Sequence, residues 1–156
     1  MYEIKREVFM IRELRAEDKE QYVKMAHDFY HSAAVDKPVP DSYFEKTFDE
    51  CMRSGEYAKG YILEFEGKTA GYGLTARTFS QEAGGLVRWL EELYILDEYR
   101  SKGLGTEFFD YMEQTREEGE TRFRLEVEEE NVRAISLYKR KGYDFLDYKQ
   151  MIKEFK

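Results

Sequence analysis

Hydrophobic positions along the chain follow two different periods, and each period predicts a type of element. Around Met25 and Phe29 they recur every three or four residues, as on one face of an amphipathic helix. Phe123, Leu125 and Val127 instead alternate with polar residues, as in a strand. The predicted elements, in chain order, are a strand over 9–14, a helix over 17–31, a second helix capped by Asp41 and stopped at Gly55, strands over 57–65 and 69–79, a strand over 87–96, a helix from 106 to about 118, a strand over 122–128, a helix over 131–141, and one or two final strands in the apolar stretch 143–152.

This order of elements predicts an α+β fold. The central sheet is expected to be mixed, with six or seven strands and with helices on both faces. The strand–helix–strand unit that begins at residue 87 should cross over right-handed, which makes its two strands parallel neighbours. Neither an internal repeat nor a linker interrupts the pattern, so residues 1–156 are expected to form a single domain, with residues 1–9 as an extension of unknown role.

Composition narrows the class of protein. With 42% hydrophobic residues the chain is typical of globular proteins, and a formal net charge of −8 disfavours nucleic acid as a partner while suiting cationic or amine substrates. No apolar run approaches the roughly 20 residues of a membrane span, and the N-terminus does not have the pattern of a signal peptide, so a cytoplasmic protein without a membrane partner is expected. The single cysteine, Cys51, excludes an internal disulfide.

A basic, glycine-containing turn lies between a predicted strand and a predicted helix. It reads Arg-Ser-Lys-Gly-Leu-Gly over residues 100–105, after the apolar run 93–96 and before a helix that starts near Thr106. Unpaired backbone N–H groups and the positive end of a helix dipole meet at such a turn, and glycine lets an anion approach the backbone. The turn therefore predicts a phosphate-binding site, with a plain strand-to-helix connection as the alternative.

A second motif opens the last predicted helix. It reads Asn-Val-Arg-Ala-Ile-Ser-Leu-Tyr-Lys-Arg-Lys-Gly-Tyr over residues 131–143. Together with the glycine turn it resembles the GNAT superfamily of N-acetyltransferases, which use acetyl-coenzyme A (acetyl-CoA). The pyrophosphate turn of that family reads Arg or Gln, two residues, Gly, one residue, Gly or Ala. The family also carries Asn, two residues, Ala, then Leu or Phe with Tyr, and a closing Gly with an aromatic. The element order matches over roughly residues 10–155.

The resemblance implies how acetyl-CoA would bind. Backbone groups of one strand would pair with the pantetheine arm, and two parallel strands would have to splay to expose those groups. The glycine turn would hold the pyrophosphate. Asn131 would contact the pantetheine arm or serve only as a helix N-cap. The implied cofactor-binding residues are Leu93, Tyr94, Ile95, Arg100, Ser101, Lys102, Gly103, Leu104, Gly105, Thr106 and Asn131.

Three side chains are the predicted catalytic residues. By the resemblance, Tyr138 would hydrogen-bond or protonate the departing coenzyme A sulfur, and packing into the core is the alternative. Transfer of a proton from a phenol to a thiolate with ordinary pKa values is uphill by roughly 2 kcal/mol, which favours hydrogen bonding. Glu91 and Glu92 interrupt an apolar strand and point to opposite faces by alternation. One of them would direct a water or the amine. We expect Glu91, or Glu92 if the strand contains a bulge, and a purely structural role for both is the alternative.

The predicted function is transfer of an acetyl group from acetyl-CoA to a primary amine, in the first instance a small molecule. Acetylation of a protein N-terminus or lysine, and a CoA-binding sensor without turnover, are the alternatives. His27 and His31 have the spacing of a metal pair, but no third ligand follows a recognisable pattern, so no metal is predicted. Segments 29–32 and 80–85 are expected to line the acceptor pocket. Few residues follow Gly142, so this pocket is either open or completed by the partner subunit of a homodimer.

Overall fold

The computed structural model describes residues 8–35 and 37–155, and most of the predicted extension 1–9 lies outside them. The strands are β1 (Phe9–Glu13), β2 (Ala58–Phe65), β3 (Lys68–Ser80), β4 (Gly85–Ile95) and β5 (Glu120–Arg124). The helices are α1 (Lys19–Tyr30), α2 (Asp41–Arg53), α3 (Leu104–Gln114) and α4 (Val132–Arg140), with short 3-10 helices over Ala16–Asp18 and Asp97–Tyr99. The chain divides into two units, one that ends at Glu126 and one that begins at Val127. None of these helices combines the length and the apolar composition that a membrane span requires.

One sheet joins the five strands in the order in which they follow along the chain. β1, β2, β3 and β4 pair antiparallel, whereas β4 and β5 pair parallel. The α+β class, the mixed sheet and the parallel pair around the glycine turn are therefore confirmed. The prediction of six or seven strands is wrong, because the described residues form five.

The missing strands belong to the stretch 143–152. In the described part of that stretch no residue is in a strand, and Phe145, Met151 and Ile152 are 59%, 95% and 84% exposed. An apolar run becomes a strand only where a neighbouring edge completes its backbone hydrogen bonds. The run itself carries no information about such an edge, which is why the sequence prediction failed here.

Two helices begin differently from the prediction. α3 begins at Leu104 because Gly103, at its N-cap, has a φ of 87°, a left-handed conformation that glycine adopts at little cost. In α2 the N-cap is Pro40, and Asp41 is the first helical residue. The Asp41 carboxylate instead lies 2.8 Å from Nδ1 of His27. The described residues contain no group of three or more side chains suited to a metal ion.

Helices cover both faces of the sheet. α1 and α2 pack on one face, where the largest buried side chains are Tyr22, Met25, Phe48, Ile62 and Tyr72. α3 packs on the other face, with its Phe108 ring 6.0 Å from that of Tyr61. A Cβ on Gly73 of β3 would collide with the Phe108 ring, so α3 lies directly on the sheet. This contact holds the start of α3 close to the middle strands.

Arg88 of β4 is a buried cation, only 5% exposed. Its guanidinium donates to both carboxylate oxygens of Glu120 in β5, at 3.0 and 2.7 Å. It also donates to the backbone carbonyls of Met112 and Thr115 at the end of α3, at 3.1 and 3.0 Å. A positive charge at the C-terminal end of a helix is favourable, because the last carbonyls lack helical partners. Arg88 thereby ties α3, β4 and β5 together.

Candidate active site

β4 and β5 are paired along only part of β4. The last matched pair is Trp89 with Arg124, and β4 then continues to Ile95 with β3 as its sole partner strand in the described part of the chain. The Arg124 guanidinium lies over the Trp89 ring, 4.2 Å from its centroid. Parallel strands that part in this way leave without a strand partner those backbone groups of β4 that point away from β3. Leu93, Tyr94 and Ile95 lie on this free edge.

The glycine turn presents a row of backbone N–H groups. Ser101 and Gly103 have φ values of 62° and 87°, both in the left-handed region. Among the described residues, no acceptor bonds to the N–H groups of residues 101–106, and the first helical bond runs from the Glu107 N–H to the Gly103 carbonyl at 3.1 Å. Successive N–H groups in such conformations form a concavity that binds anions. A Cβ on Gly103 would meet no atom within 4 Å, so the space beside the turn is open.

The two basic side chains of the turn are held differently. Arg100 donates from Nε to the Ile95 carbonyl at 3.1 Å and forms an ion pair with Asp97 at 2.8 Å. It therefore ties the turn back to the end of β4. The Lys102 ammonium lies 5.3 Å from the centroid of the Phe65 ring and forms no ion pair with a described residue. Of the two, Lys102 is the cation available to an anionic ligand.

A β-bulge in β4 separates the two candidate carboxylates. Leu74 of β3 lies opposite Glu92 and Thr75 lies opposite Leu90, so Glu91 is the extra residue. Glu92 therefore turns with Leu74 toward the face that α1 and α2 cover, whereas Glu91 is exposed. This bulge is the circumstance in which the sequence favours Glu92.

The Glu92 carboxylate accepts hydrogen bonds from two tyrosines. Tyr72 donates to Oε1 at 2.7 Å, and Tyr30 donates to Oε2. Burial raises the pKa of Glu92, and the two hydrogen bonds lower it. Burial also raises the pKa of Tyr30 and that of Tyr72, so both remain neutral donors. Glu92 is a partly buried carboxylate held by neutral groups, and no described cation pairs with it.

The end of α1 reaches the same part of β4. The Phe29 ring lies 5.7 Å from the Tyr94 ring, and Tyr30 packs against Phe44 of α2 at 5.1 Å. The segment expected to line the acceptor pocket is thus brought to Glu92 and Tyr94. The sequence did not identify Tyr30 or Tyr72 as partners of Glu92, because they lie 62 and 20 residues away from it. The one available signal in the sequence is that Tyr30 and Tyr72 place hydroxyl groups on helix and strand faces that otherwise carry apolar core residues.

Asn131 and Tyr138 belong to the second unit. The Asn131 side chain accepts a hydrogen bond from the Ala134 N–H at 3.2 Å, which confirms its role as an N-cap, while its contact with the pantetheine arm stays a prediction. The Tyr138 ring lies 6.2 Å from the Tyr143 ring, and its carbonyl accepts from the Tyr143 N–H at 3.0 Å. Burial raises the pKa of Tyr138, so its hydroxyl is neutral and can donate.

Comparison with known proteins assigns the chain to a family. The model of the Acetyltransferase (GNAT) family matches residues 11–143. Spermine/spermidine N(1)-acetyltransferase of Bacillus subtilis (strain 168) is 32% identical over 149 residues, which cover 85% of this chain and 97% of that protein. Thialysine N-epsilon-acetyltransferase of Mus musculus is 32% identical over 137 residues, or 83% of this chain and 72% of that protein. The crystal structure of a "possible acetyltransferase" from Clostridium difficile 630 has 22% identity and a TM-score of 0.81, and the match covers 95% of this chain and 98% of that one.

Proposed function

The chain belongs to the GNAT acetyltransferase family, and from that premise we propose that it transfers an acetyl group from acetyl-CoA to a primary amine by direct attack on the thioester. One observation carries this proposal. Where β4 leaves β5, a partly buried carboxylate, a free strand edge and a row of unpaired N–H groups follow one another along the chain. These are the groups that binding and acetyl transfer require.

The described residues fit acetyl-CoA in two places. The free edge at Leu93, Tyr94 and Ile95 can pair with the amides of the pantetheine arm. The N–H groups of residues 101–106 and the Lys102 charge can hold the pyrophosphate. Bound there, acetyl-CoA would supply an activated acetyl group as a thioester. A backbone N–H near Tyr94 would donate to its carbonyl oxygen, where negative charge develops.

Glu92 is the carboxylate that we place at the amine. Deprotonation of a lysine-like ammonium at pH 7 costs roughly 4 to 5 kcal/mol, and a carboxylate with an ordinary pKa is a poor base for it. Burial raises the pKa of Glu92, which reduces this mismatch without removing it. Glu92 would therefore orient the ammonium, or the water through which the proton leaves. Glu91, which is exposed in the bulge, has a secondary role in this proposal.

Tyr138 would donate a hydrogen bond to the departing sulfur. Its pKa is raised by burial, so complete transfer of its proton to a thiolate is less favourable than for an ordinary phenol. A hydrogen bond that strengthens as negative charge develops needs no such transfer.

The acceptor that we propose is a small cationic amine. The similar proteins from Bacillus subtilis and Mus musculus bear names that specify spermine, spermidine or thialysine. The Glu91 side chain is exposed overall, but its partial burial raises its pKa, and the nearby charges of Glu126 and Glu92 raise it further. Several carboxylates close together, in a chain with a formal net charge of −8, favour a substrate with more than one positive charge.

Release of coenzyme A thiol from acetyl-CoA, measured against a panel of acceptors, tests the proposal. The panel contains spermine, spermidine, lysine, thialysine, aminoglycosides and peptides, with diols of matching length as controls that lack the amine. We expect amine-dependent thiol release and an acetylated product by mass spectrometry. Release with peptides alone would favour a protein acetyltransferase. Cofactor binding without release for any acceptor would favour a sensor.

A further inference from the structure

The cluster of Tyr30, Glu92 and Tyr72 joins three elements of the fold. Tyr30 is the last residue of α1, Glu92 follows the bulge of β4, and Tyr72 lies in the middle of β3. Each tyrosine donates to a different carboxylate oxygen. The two donors thus approach Glu92 from the helix layer and from the neighbouring strand.

We propose that Tyr30 and Tyr72 are positioning residues for acetyl transfer, whose hydroxyl groups fix the Glu92 carboxylate where it receives the acceptor amine. This inference rests on the proposed function and deepens it, because it assigns two residues of α1 and β3 to the same site.

Packing holds both donors in place. Tyr72 is 0% exposed, and its ring lies 5.1 Å from that of Tyr22. The Tyr30 ring lies 5.1 Å from Phe44 and 5.4 Å from Phe29. Since neither ring can turn freely, the carboxylate plane between the two hydroxyl groups is set by the core of the protein.

The arrangement also leaves Glu92 able to bind. A carboxylate has about four lone-pair sites, and the two phenols occupy one on each oxygen. Both donors are neutral, so they orient the negative charge without cancelling it. The unoccupied sites and the charge remain available to an ammonium group or to a water.

The ionisation of Glu92 provides the test. The titratable groups that face it are Tyr22 and Tyr30 from α1, Tyr72 from β3 and Glu91 from β4. Hydrogen bonds to a carboxylate stabilise its charged form, which opposes the effect of burial. Loss of one phenol hydroxyl should therefore move protonation of Glu92 to higher pH.

The first measurement is the pH dependence of kcat/KM. In Tyr30→Phe and in Tyr72→Phe we expect the acidic limb to move up by about one pH unit, since a hydrogen bond to a charged group is worth at least that much. Glu92→Gln should remove the limb. Tyr22→Phe is the matched control, because Tyr22 is buried beside Tyr72 but donates no hydrogen bond to Glu92. Acidic limbs of both variants that coincide with the wild type would overturn the proposal.

The second measurement does not depend on turnover. It follows the carboxyl groups of the glutamates by carbon-13 NMR as the pH is changed, and the Glu92 signal is assigned by its loss in Glu92→Gln. In both phenylalanine variants the pH at which Glu92 is protonated should rise by the same amount as in the kinetic measurement. An NMR shift without a kinetic shift would overturn the role in the reaction. A wild type with no amine-dependent thiol release would refute the proposed function and with it the role of both tyrosines in acetyl transfer. The NMR titration would still decide whether the two hydroxyl groups hold Glu92 ionised. Thermal midpoints for all four variants identify any that fail to fold.

Discussion

Each half of β4 carries a charged side chain that is shielded from water, and the protein surrounds the two charges in opposite ways. Arg88 is buried, and Glu92 is partly buried. In the half that pairs with β3 and β5, Arg88 faces Glu120 and also donates to two carbonyls of α3. In the half that pairs with β3 alone, Glu92 accepts from two tyrosines, and no described cation pairs with it.

The difference shows that Arg88 is a structural anchor, whereas Glu92 is suited to bind a ligand. A buried ion pair whose donors are all used fixes the elements that carry it, and removal of one partner leaves an uncompensated charge. A partly buried carboxylate held by neutral donors remains available to pair with a cation of the substrate. The half of β4 that pairs with both neighbours, here called the closed half, thus holds α3 and β5 in place. The half that pairs with β3 alone, here called the open half, is where we place the reaction.

The largest effect is expected where the anchor is broken. Arg88→Met should lower the free energy of unfolding by about 3 kcal/mol, because among the described residues it leaves Glu120 with only Arg77, at 3.9 Å, as a cationic partner. Urea unfolding followed by circular dichroism measures the change. The double variant Arg88→Met/Glu120→Met should recover most of the loss. Wild-type stability in Arg88→Met alone would show that Arg88 is not an anchor.

Substitutions in the open half should lower turnover and leave stability nearly unchanged. Glu92→Gln is expected to lower kcat/KM by about a hundred- to a thousandfold, a typical effect for a general acid–base group, with a small change in thermal midpoint. Glu91→Gln is the matched control and should lose less, because Glu91 is exposed in the bulge. A larger loss in Glu91→Gln would reverse the assignment of the two carboxylates. Full turnover in both would make them structural.

The glycine turn tests whether the open half binds acetyl-CoA. Gly103→Val should abolish the rise in thermal midpoint that acetyl-CoA causes, a stabilisation of about 2.7 kcal/mol at a hundred times Kd. The branched side chain would enter the open space beside the turn and resist a φ of 87°. Gly67→Val is the control, because Gly67 also has a positive φ and open space around its Cα. Unchanged calorimetric affinity in Gly103→Val would refute the phosphate assignment.

A smaller effect is expected from the substitution of Tyr138 by phenylalanine, which removes the hydroxyl and keeps the ring. Tyr138→Phe should lower kcat by about ten- to a hundredfold and leave the dissociation constant of acetyl-CoA nearly unchanged, because the interaction is made mainly in the transition state. Turnover, affinity and thermal midpoint are measured together. Wild-type turnover with a small loss of stability would instead support the packing role.

Much of the fold could be predicted from local patterns. The two hydrophobic periods predict the four helices and five strands in the right order. They do so because one face of each helix or strand packs against a single neighbouring layer along its whole length. Predictions failed where a distant partner decides the outcome. The stretch 143–152 is as apolar as a strand, but none of its residues, all of which the structure describes, is in a strand.

The site divides in the same way. The glycine turn was found from sequence because its conformation depends on neighbouring residues, Gly103 above all. The family could also be identified, from motifs that are each continuous in the chain. The bulge at Glu91 and the donors Tyr30 and Tyr72 could not be found, because they depend on register and on contacts between separate elements.

Trp89 is the one tryptophan of the chain, and it stands at the fork where β4 and β5 part. Its ring faces the Arg124 guanidinium, and its indole N–H donates to Thr78 at 3.3 Å. Indole fluorescence responds to a nearby charge and to hydrogen bonding. The tryptophan emission of this protein therefore reports on one place, the point where β4 and β5 part. Movement of the two strands as a ligand enters would therefore be visible as a change in intensity or wavelength, without an attached dye and on the timescale of stopped-flow mixing.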